Sequence, residues 1–315
     1  MCGIVGYIGE KRVVPILIEG LKRLEYRGYD SAGLAVVDQG RMVIHRSVGK
    51  IKELENALWG TNLGGTLGLG HTRWATHGRP TEENAHPHTD CTGDLVVVHN
   101  GIIENYLALK EKLLAEGHFF RSETDTEVIA HLIEKYLKED RDIEVATRRA
   151  LNDVTGAYAI GVLWRGDPGR LVGAKCGSPL VVGLGQGDFF FASDIPAILN
   201  HTRNVLFLND EEMVVLTRDG VQITTLQGEP VQHPVEKVLW SPILAEKGGY
   251  KHFMLKEIYE QPRAVRDTIR GRFSEESGQI FFEGMEALDE VLPQIQKVIL
   301  IACGTAWHAA LVGKF

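Results

Sequence analysis

Cys2 is the residue around which chemistry could be organised. It stands directly behind the initiator in Met1-Cys2-Gly3-Ile4-Val5-Gly6. Cysteine is small enough that Met1 is expected to be cut away, leaving Cys2 with a free α-amine. One residue then carries both a nucleophile and a base. The thiolate is the attacking form; a free thiol titrates at about 8.5 and an α-amine at about 7.7–8.0. Such an amine is partly free base at neutral pH and can take the thiol proton, directly or through a water, as it does for N-terminal threonine nucleophiles. The competing reading is a disordered terminus with a chance cysteine. Against it, Gly3-Ile4-Val5-Gly6-Tyr7-Ile8 reads as a buried strand that would hold the terminus rigid.

Other stretches could serve that nucleophile. In Gly70-His71-Thr72-Arg73-Trp74-Ala75-Thr76-His77-Gly78 an arginine, a tryptophan, a threonine and a histidine gather at a strand end, which suits a small zwitterion. Arg73 can hold a carboxylate through two parallel hydrogen bonds, and Thr76 and His77 can add donors. His71, His77, His86 and His88 lie close in sequence, but without a His-Glu-x-x-His or Cys/His ligand spacing, so no metal is expected. Asn100-Gly101 follows the apolar run Leu95-Val96-Val97-Val98-His99, which is expected to be a buried central strand. Asn-Gly after a strand is usually a hairpin turn. Here Ile103, Leu107 and Leu114 instead suggest a helix closed by Gly117. Asn100-Gly101 is then a strand-to-helix corner, able to present N–H groups as an oxyanion hole. In Ser122-Glu123-Thr124-Asp125-Thr126-Glu127, Thr124 and Glu127 read as a capping box opening a helix with Ile129, Leu132, Ile133 and Tyr136 inward. Asp125 either merely complements the helix dipole or faces a cleft and receives a substrate ammonium. Tyr26-Arg27-Gly28-Tyr29-Asp30-Ser31-Ala32-Gly33 is either a plain loop or one that delivers the Arg27 guanidinium to a site.

The elements that must position these residues are also legible. Val14, Leu17, Ile18 and Leu21 recur at helical spacing over about residues 12 to 25, with Arg23 outward. From Gly156 onward come short strands, Ala157 to Trp164, Arg170 to Ala174, Leu180 to Leu184, Phe189 to Ala192, Val205 to Leu208, Met213 to Leu216 and Val221 to Thr225, punctuated by Gly, Asp and Pro. Helices alternating with sheets in this way imply a layered α+β domain. Beyond the polar connector Glu246-Lys247-Gly248-Gly249-Tyr250, a long helix is expected from Phe253 to about Arg270. Val298 to Ala302 is expected to be a buried strand, with Cys303-Gly304-Thr305 opening a helix whose N-terminus suits a phosphate. One strand cannot complete a parallel sheet, so the chain is expected to be a fragment that begins a second domain. Its 315 residues carry a net charge of −8, which argues against a nucleic-acid binder. No apolar run reaches membrane-spanning length, so no membrane span is expected, nor is a signal peptide, and four scattered cysteines suit a reducing cytoplasm.

Taken together, the Cys2, Tyr26 to Gly33, His71 to Gly78, Val98 to Gly101 and Ser122 to Glu127 motifs resemble those of class II glutamine amidotransferases, in the same order. The wording Tyr-Arg-Gly-Tyr-Asp-Ser and Trp-Ala-Thr, with Lys256-Glu257-Ile258-Tyr259-Glu260-Gln261-Pro262 and Ala302-Cys303-Gly304-Thr305, is similar to the hexosamine-forming branch rather than to amidophosphoribosyltransferases. The resemblance implies an N-terminal-nucleophile fold, a four-layer αββα sandwich over residues 2–240. A connector over 241–292 and the incomplete start of an α/β sugar isomerase domain over 293–315 would follow. It implies that Cys2 attacks the glutamine amide to give a γ-glutamyl thioester, with its α-amine as base and then acid. Asn100 and Gly101 would form the oxyanion hole. Arg73, Thr76 and His77 would hold the α-carboxylate and Asp125 the α-ammonium, Trp74 would lie in a loop closing over L-glutamine, and Arg27 would lie near the nucleophile. Cys303, Gly304 and Thr305 would be part of a sugar-phosphate site. No cofactor, metal, nucleic acid or membrane partner is implied. The resemblance further implies that the intact protein is typically a homodimer and passes ammonia to fructose 6-phosphate, making glucosamine 6-phosphate. The rival expectations are another class II amidotransferase with a different acceptor, or a fragment that only binds.

Overall fold

The computed structural model describes residues 2–75, 78–239, 250, 252–269 and 294–314. It divides into two compact units, Met1–Gly248 and Gly249–Phe315. The first contains two antiparallel sheets. In one of eight strands, Gly3–Ile8 lies between Leu67–Arg73 and Phe189–Ala192. The other has seven strands and includes Leu95–Ile103 paired with Gly156–Trp164.

Alternation of side chains along each strand builds the layers. Ile4 and Ile8 point one way and join Leu69, Val96, Val98, Leu163 and Phe191 in a core between the sheets. Val5 and Tyr7 point the other way, onto Leu17, Leu21 and Leu24 of the helix Val13–Leu24. Across the molecule, Leu95 and Val97 meet Ile129, Leu132 and Ile133 of the helix Glu127–Asp140, with the helices Tyr106–Ala115 and Ile143–Asn152 in the same outer layer. The result is helix, sheet, sheet, helix: an α+β sandwich with three apolar interfaces. Strands covered on both faces are apolar at successive positions, which is why Leu95 to Val98 and Met213 to Leu216 read as continuous rather than alternating.

Several expectations change. The strand expected to stop at His99 continues through Asn100 and Gly101 to Ile103, because Gly156–Trp164 supplies the partner that a local reading could not find. It is also the next-to-last strand of its sheet, not a central one; among the described residues only His88–Thr89 lies beyond it. Its burial comes from the layers above and below. The following helix starts at Tyr106 and turns Leu113 inward, while Leu107 and Leu114 are exposed. The strand after the Tyr26 loop begins at Ser31, earlier than its apolar residues suggest. Thr124 and Glu127 form no capping box. The helix begins at Glu127, whose carboxylate accepts from the Arg121 and Ser122 backbone N–H groups at 2.8 and 2.7 Å, whereas the Thr124 hydroxyl bonds His88 Nε2 at 3.1 Å.

In the second unit the helix Phe253–Ile269 carries Pro262 within it, and a second helix spans Gly304–Gly313. Val298 to Ala302 is not a strand: residues 295–303 have no regular structure. A strand exists only through hydrogen bonds to a neighbour, and none pairs with this run among the described residues. Most of the 241–292 connector, including Glu246 to Gly249, lies outside the described residues. Among the described residues, no helix is long and apolar enough to cross a membrane.

Candidate active site

The register of Gly3–Ile8 places the candidate nucleophile. Gly3 lies opposite Thr72, so Cys2 emerges beside Arg73 and Trp74 on the adjoining strand end. The Trp74 backbone N–H donates to Cys2 Sγ at 3.2 Å. Burial raises the Cys2 thiol above its ordinary pKa, opposed by that N–H, by the positive chain terminus and by the Arg73 and Arg27 guanidinium groups. On the other flank, Ser193 Oγ accepts from the Ile4 N–H at 2.8 Å.

The Tyr26 to Gly33 stretch does more than connect. Arg27 is buried, and its Nε donates to the Cys2 carbonyl at 2.9 Å while Nη1 lies 3.4 Å from Asp194 Oδ2. Asp30 clasps the opposite strand end, its N–H on the Arg73 carbonyl at 3.0 Å and its Oδ2 taking the Ala75 N–H at 2.9 Å. Gly28 is what lets the two backbones touch. A Cβ there would stand 2.8 Å from both Arg73 C and Trp74 N, so a side chain must push the peptide that holds Cys2 Sγ.

Asn100 is held by residues that local sequence does not reveal. His71 Nε2 lies 3.0 Å from Asn100 Oδ1 and 3.1 Å from the His99 carbonyl. Both partners accept only, so Nε2 carries the proton. The fixed Oδ1 turns Nδ2 toward the Cys2 carbonyl at 3.1 Å and Ser193 Oγ at 2.8 Å. His71, considered above only as a metal ligand, and Ser193, not considered, are therefore positioning residues. The signal for His71 was its place in a strand whose preceding residues are all apolar or glycine; Ser193 left none. Gly101 has φ 138°, and a Cβ there would meet the Ala157 carbonyl oxygen at 1.9 Å, so no other residue fits.

His71, His86 and His88 are buried together, and His71 stacks on His86 with ring centroids 4.0 Å apart. Burial pushes His71 down to about 3 and His86 well below its ordinary value. In the unfolded chain these imidazoles take protons near pH 6.5, while the folded protein refuses them until much lower pH. The unfolded state thus binds more protons in that interval, and stability falls as pH falls. As pH falls from 6.5 to 5 the loss per such histidine is expected to steepen from about 0.7 toward about 1.4 kcal/mol per pH unit, which urea unfolding at stepped pH would register as a falling midpoint. A flat midpoint over that interval would contradict neutral burial.

Arg73 is buried, and its guanidinium donates to the Gly78 and Arg79 carbonyls at 3.2 Å each, bracing the loop that follows the strand. Trp74 is 46% exposed and meets Tyr29 edge-on at 5.8 Å. Asp125 is buried, with Oδ2 accepting the Ile103 N–H at 2.8 Å. Its other oxygen has no partner among the described residues. Cys2, Arg73, Trp74, Asn100, Gly101 and Asp125 all line one cavity of about 470 Å³, the size of a small-molecule site, and Arg27 borders it too. Thr76 and His77 lie outside the described residues. Cys303, Gly304 and Thr305 belong to the second unit, where all three are exposed at the start of Gly304–Gly313. The arrangement suits attack by a thiol on a carbonyl of a small molecule that bears both charges.

Comparison with known proteins gives the family. Residues 43–238 match the model of the glutamine amidotransferase domain. The chain is 53% identical over 315 residues to the glutamine–fructose-6-phosphate aminotransferase (isomerizing) of Aquifex aeolicus, covering all of this chain and 51% of that protein. It is 52% identical over 316 residues to the protein of the same name from Methanothermobacter thermautotrophicus, covering 52% of it. The chain thus spans about half the length of the curated relatives it matches. A solved glutamine phosphoribosylpyrophosphate amidotransferase from B. subtilis superposes with a TM-score of 0.63 at 26% identity, covering 71% of this chain and 49% of that one. The matched stretch takes in most of the chain and contains Arg73, Asn100, Gly101 and Asp125: the chain belongs to the glutamine amidotransferase family.

Proposed function

We propose that the first unit hydrolyses L-glutamine to glutamate and ammonia, with Cys2 as nucleophile. The reading rests on one observation above all: Cys2 Sγ lies against the Trp74 N–H at the edge of a cavity whose lining also holds Arg73, Asn100, Gly101 and Asp125. Once Met1, outside the described residues, is removed, the α-amine of Cys2 takes the thiol proton and Sγ attacks the side-chain amide carbon. The carbonyl π pair moves to oxygen, giving a tetrahedral oxyanion. Asn100 Nδ2 and the Gly101 N–H receive it. By strand alternation that N–H falls on the same edge as those of His99 and Ile103, which the His86 and Asp125 side chains take up. Nδ2 must then release the Cys2 carbonyl it holds in the free protein. The C–N bond breaks as the α-ammonium returns its proton to the departing amine, and water cleaves the resulting thioester. Arg73, with Thr76 and His77, faces the α-carboxylate and Asp125 the α-ammonium, while Trp74 covers the site and Arg27 holds the Cys2 carbonyl.

In the intact protein, we infer from relatives at about half identity, the ammonia goes to fructose 6-phosphate, giving glucosamine 6-phosphate in a cytoplasmic homodimer. Residues 241–292 connect to a sugar isomerase domain begun at 293–315, with Cys303, Gly304 and Thr305 touching the sugar phosphate.

Intact-mass spectrometry tests the first step. The purified chain is expected to lack Met1 and, quenched during turnover, to carry a γ-glutamyl adduct on Cys2. A chain lacking Met1 that neither forms the adduct nor releases glutamate would overturn the reading. For the acceptor, ammonia transfer to phosphoribosyl pyrophosphate rather than to fructose 6-phosphate by the full-length protein would overturn the sugar assignment alone.

A further inference from the structure

On the outer helical layer, Cys91, His118, His131 and Glu134 turn their ligating atoms toward one another, all within 4.8 Å. Cys91 Sγ lies 3.7 Å from His118 Nδ1 and 3.6 Å from His131 Nδ1, and Glu134 Oε2 lies 3.0 and 3.2 Å from the same two nitrogens. A tetrahedral zinc ion with Zn–S near 2.3 Å and Zn–N or Zn–O near 2.0–2.1 Å requires S···N edges of about 3.6 Å and N···N or N···O edges of about 3.3 Å. The two sulfur edges match that figure, and the two oxygen edges lie within about 0.3 Å of it. His118, His131 and Glu134 are buried and Cys91 is partly covered.

We propose that these four side chains form a structural site for a divalent transition ion, zinc being the best match. The donor set is one sulfur, two imidazole nitrogens and one carboxylate oxygen, which suits zinc and excludes the oxygen-seeking magnesium and calcium. A thiolate and a carboxylate balance the double positive charge. All four positions are filled by protein, so no place is kept open for a reactant. Binding releases the Cys91 thiol proton, and the proton on each imidazole sits on Nε2 so that Nδ1 can coordinate. For His131, Nε2 lies 3.6 Å from Glu127 Oε1, so a carboxylate stands behind the ligating imidazole and a small closure would let it accept that proton. The Cys91 N–H and Lys138 Nζ, each 3.1 Å from a Glu134 oxygen, hold the carboxylate in place.

The site joins three separate pieces of chain. Cys91 follows the edge strand His88–Thr89, His118 follows the helix Tyr106–Ala115, and His131 and Glu134 lie one turn apart on Glu127–Asp140. Glu127, behind His131, also fixes the Arg121 and Ser122 N–H groups at the start of the loop that carries Asp125. The ion would therefore brace the wall of the cavity from outside. Sequence spacing hides it: no two of the ligands are close except His131 and Glu134, which follow the i, i+3 spacing of a helix face.

Cobalt substitution tests the site. The full chain, stripped with chelator under reducing conditions, is expected to bind one equivalent of Co²⁺ with a thiolate-to-cobalt band in the near ultraviolet and tetrahedral bands in the visible. Zn²⁺ should displace it. Cys91→Ser should lose the ultraviolet band, and His118→Ala should weaken binding at least tenfold. A variant with Cys2, Cys176 and Cys303 replaced by alanine or serine, leaving Cys91 as its one thiol, should keep the band, and Zn²⁺ should raise its unfolding temperature. No stoichiometric binding by the parent, or a band that disappears from the Cys91-only variant, would overturn the proposal. Because the Cys91-only variant lacks the nucleophile, its result is independent of glutamine hydrolysis.

Discussion

Cys2→Ala is expected to abolish glutamate release from glutamine while glutamine still binds. The loss should be on the order of 10⁴-fold or more, since removing a covalent nucleophile leaves only what binding and the oxyanion donors supply. The change removes one sulfur at a position whose backbone is fixed from elsewhere. Gly3–Ile8 stays paired with strands on both sides, and the Arg27 and Asn100 side chains still hold the Cys2 carbonyl. Folding and glutamine affinity should therefore persist, because Arg73 and Asp125 keep their places. A coupled glutamate assay beside calorimetric titration with glutamine separates the two effects. Residual activity within tenfold of the parent would remove Cys2 from the chemistry. Loss of binding together with activity would mean that the sulfur shapes the pocket rather than reacts in it.

Asn100→Ala should give the second-largest effect, a fall in kcat of about 100- to 1000-fold with KM changed far less, the cost typical of one lost oxyanion donor. The selectivity for kcat follows from position. Asn100 Nδ2 points to the Cys2 carbonyl rather than to Arg73 or Asp125, so its contribution is expected only when charge develops on the amide oxygen. Asn100→Asp is the sharper test. It keeps the shape and the acceptor for His71, but sets a carboxylate oxygen where Nδ2 now donates to the Cys2 carbonyl and Ser193 Oγ. Acceptor would then face acceptor, and a negative charge would stand where the oxyanion forms. Asn100→Asp should fall at least as far as alanine. If both variants stayed within tenfold of the parent kcat, Asn100 would have no part in stabilising the oxyanion.

Much of the fold was legible because burial on two faces leaves a strong mark. Phe189–Ala192 and Val221–Thr225 are found at the residues their apolar and β-branched runs indicate, bounded by Gly, Asp and Pro. The helix Val13–Leu24 follows the spacing of Leu17, Ile18 and Leu21. What misled was every feature whose outcome depends on a distant partner. Asn-Gly has strong local turn preferences, yet nine residues of Gly156–Trp164 hold it in a ladder. Thr124 and Glu127 have the spacing of a cap, yet His88 and the Arg121 and Ser122 N–H groups take their side chains. Val298 to Ala302 has the composition of a strand, and composition cannot supply the neighbour.

The sequence by itself determined the chemistry on offer: a cysteine behind the initiator, a guanidinium, an amide and a carboxylate, each beside an element able to carry it. Only the tertiary structure decided their relation. Strand register brought Cys2 to the Trp74 N–H, and His71 and Ser193 set the orientation of Asn100. Three unconnected segments brought Cys91, His118 and the His131–Glu134 pair together. The physical reason is range. Propensity and periodicity act over one or two turns of chain, whereas a hydrogen bond or a ligand set is defined by distances of about 3 Å between residues that the sequence leaves far apart.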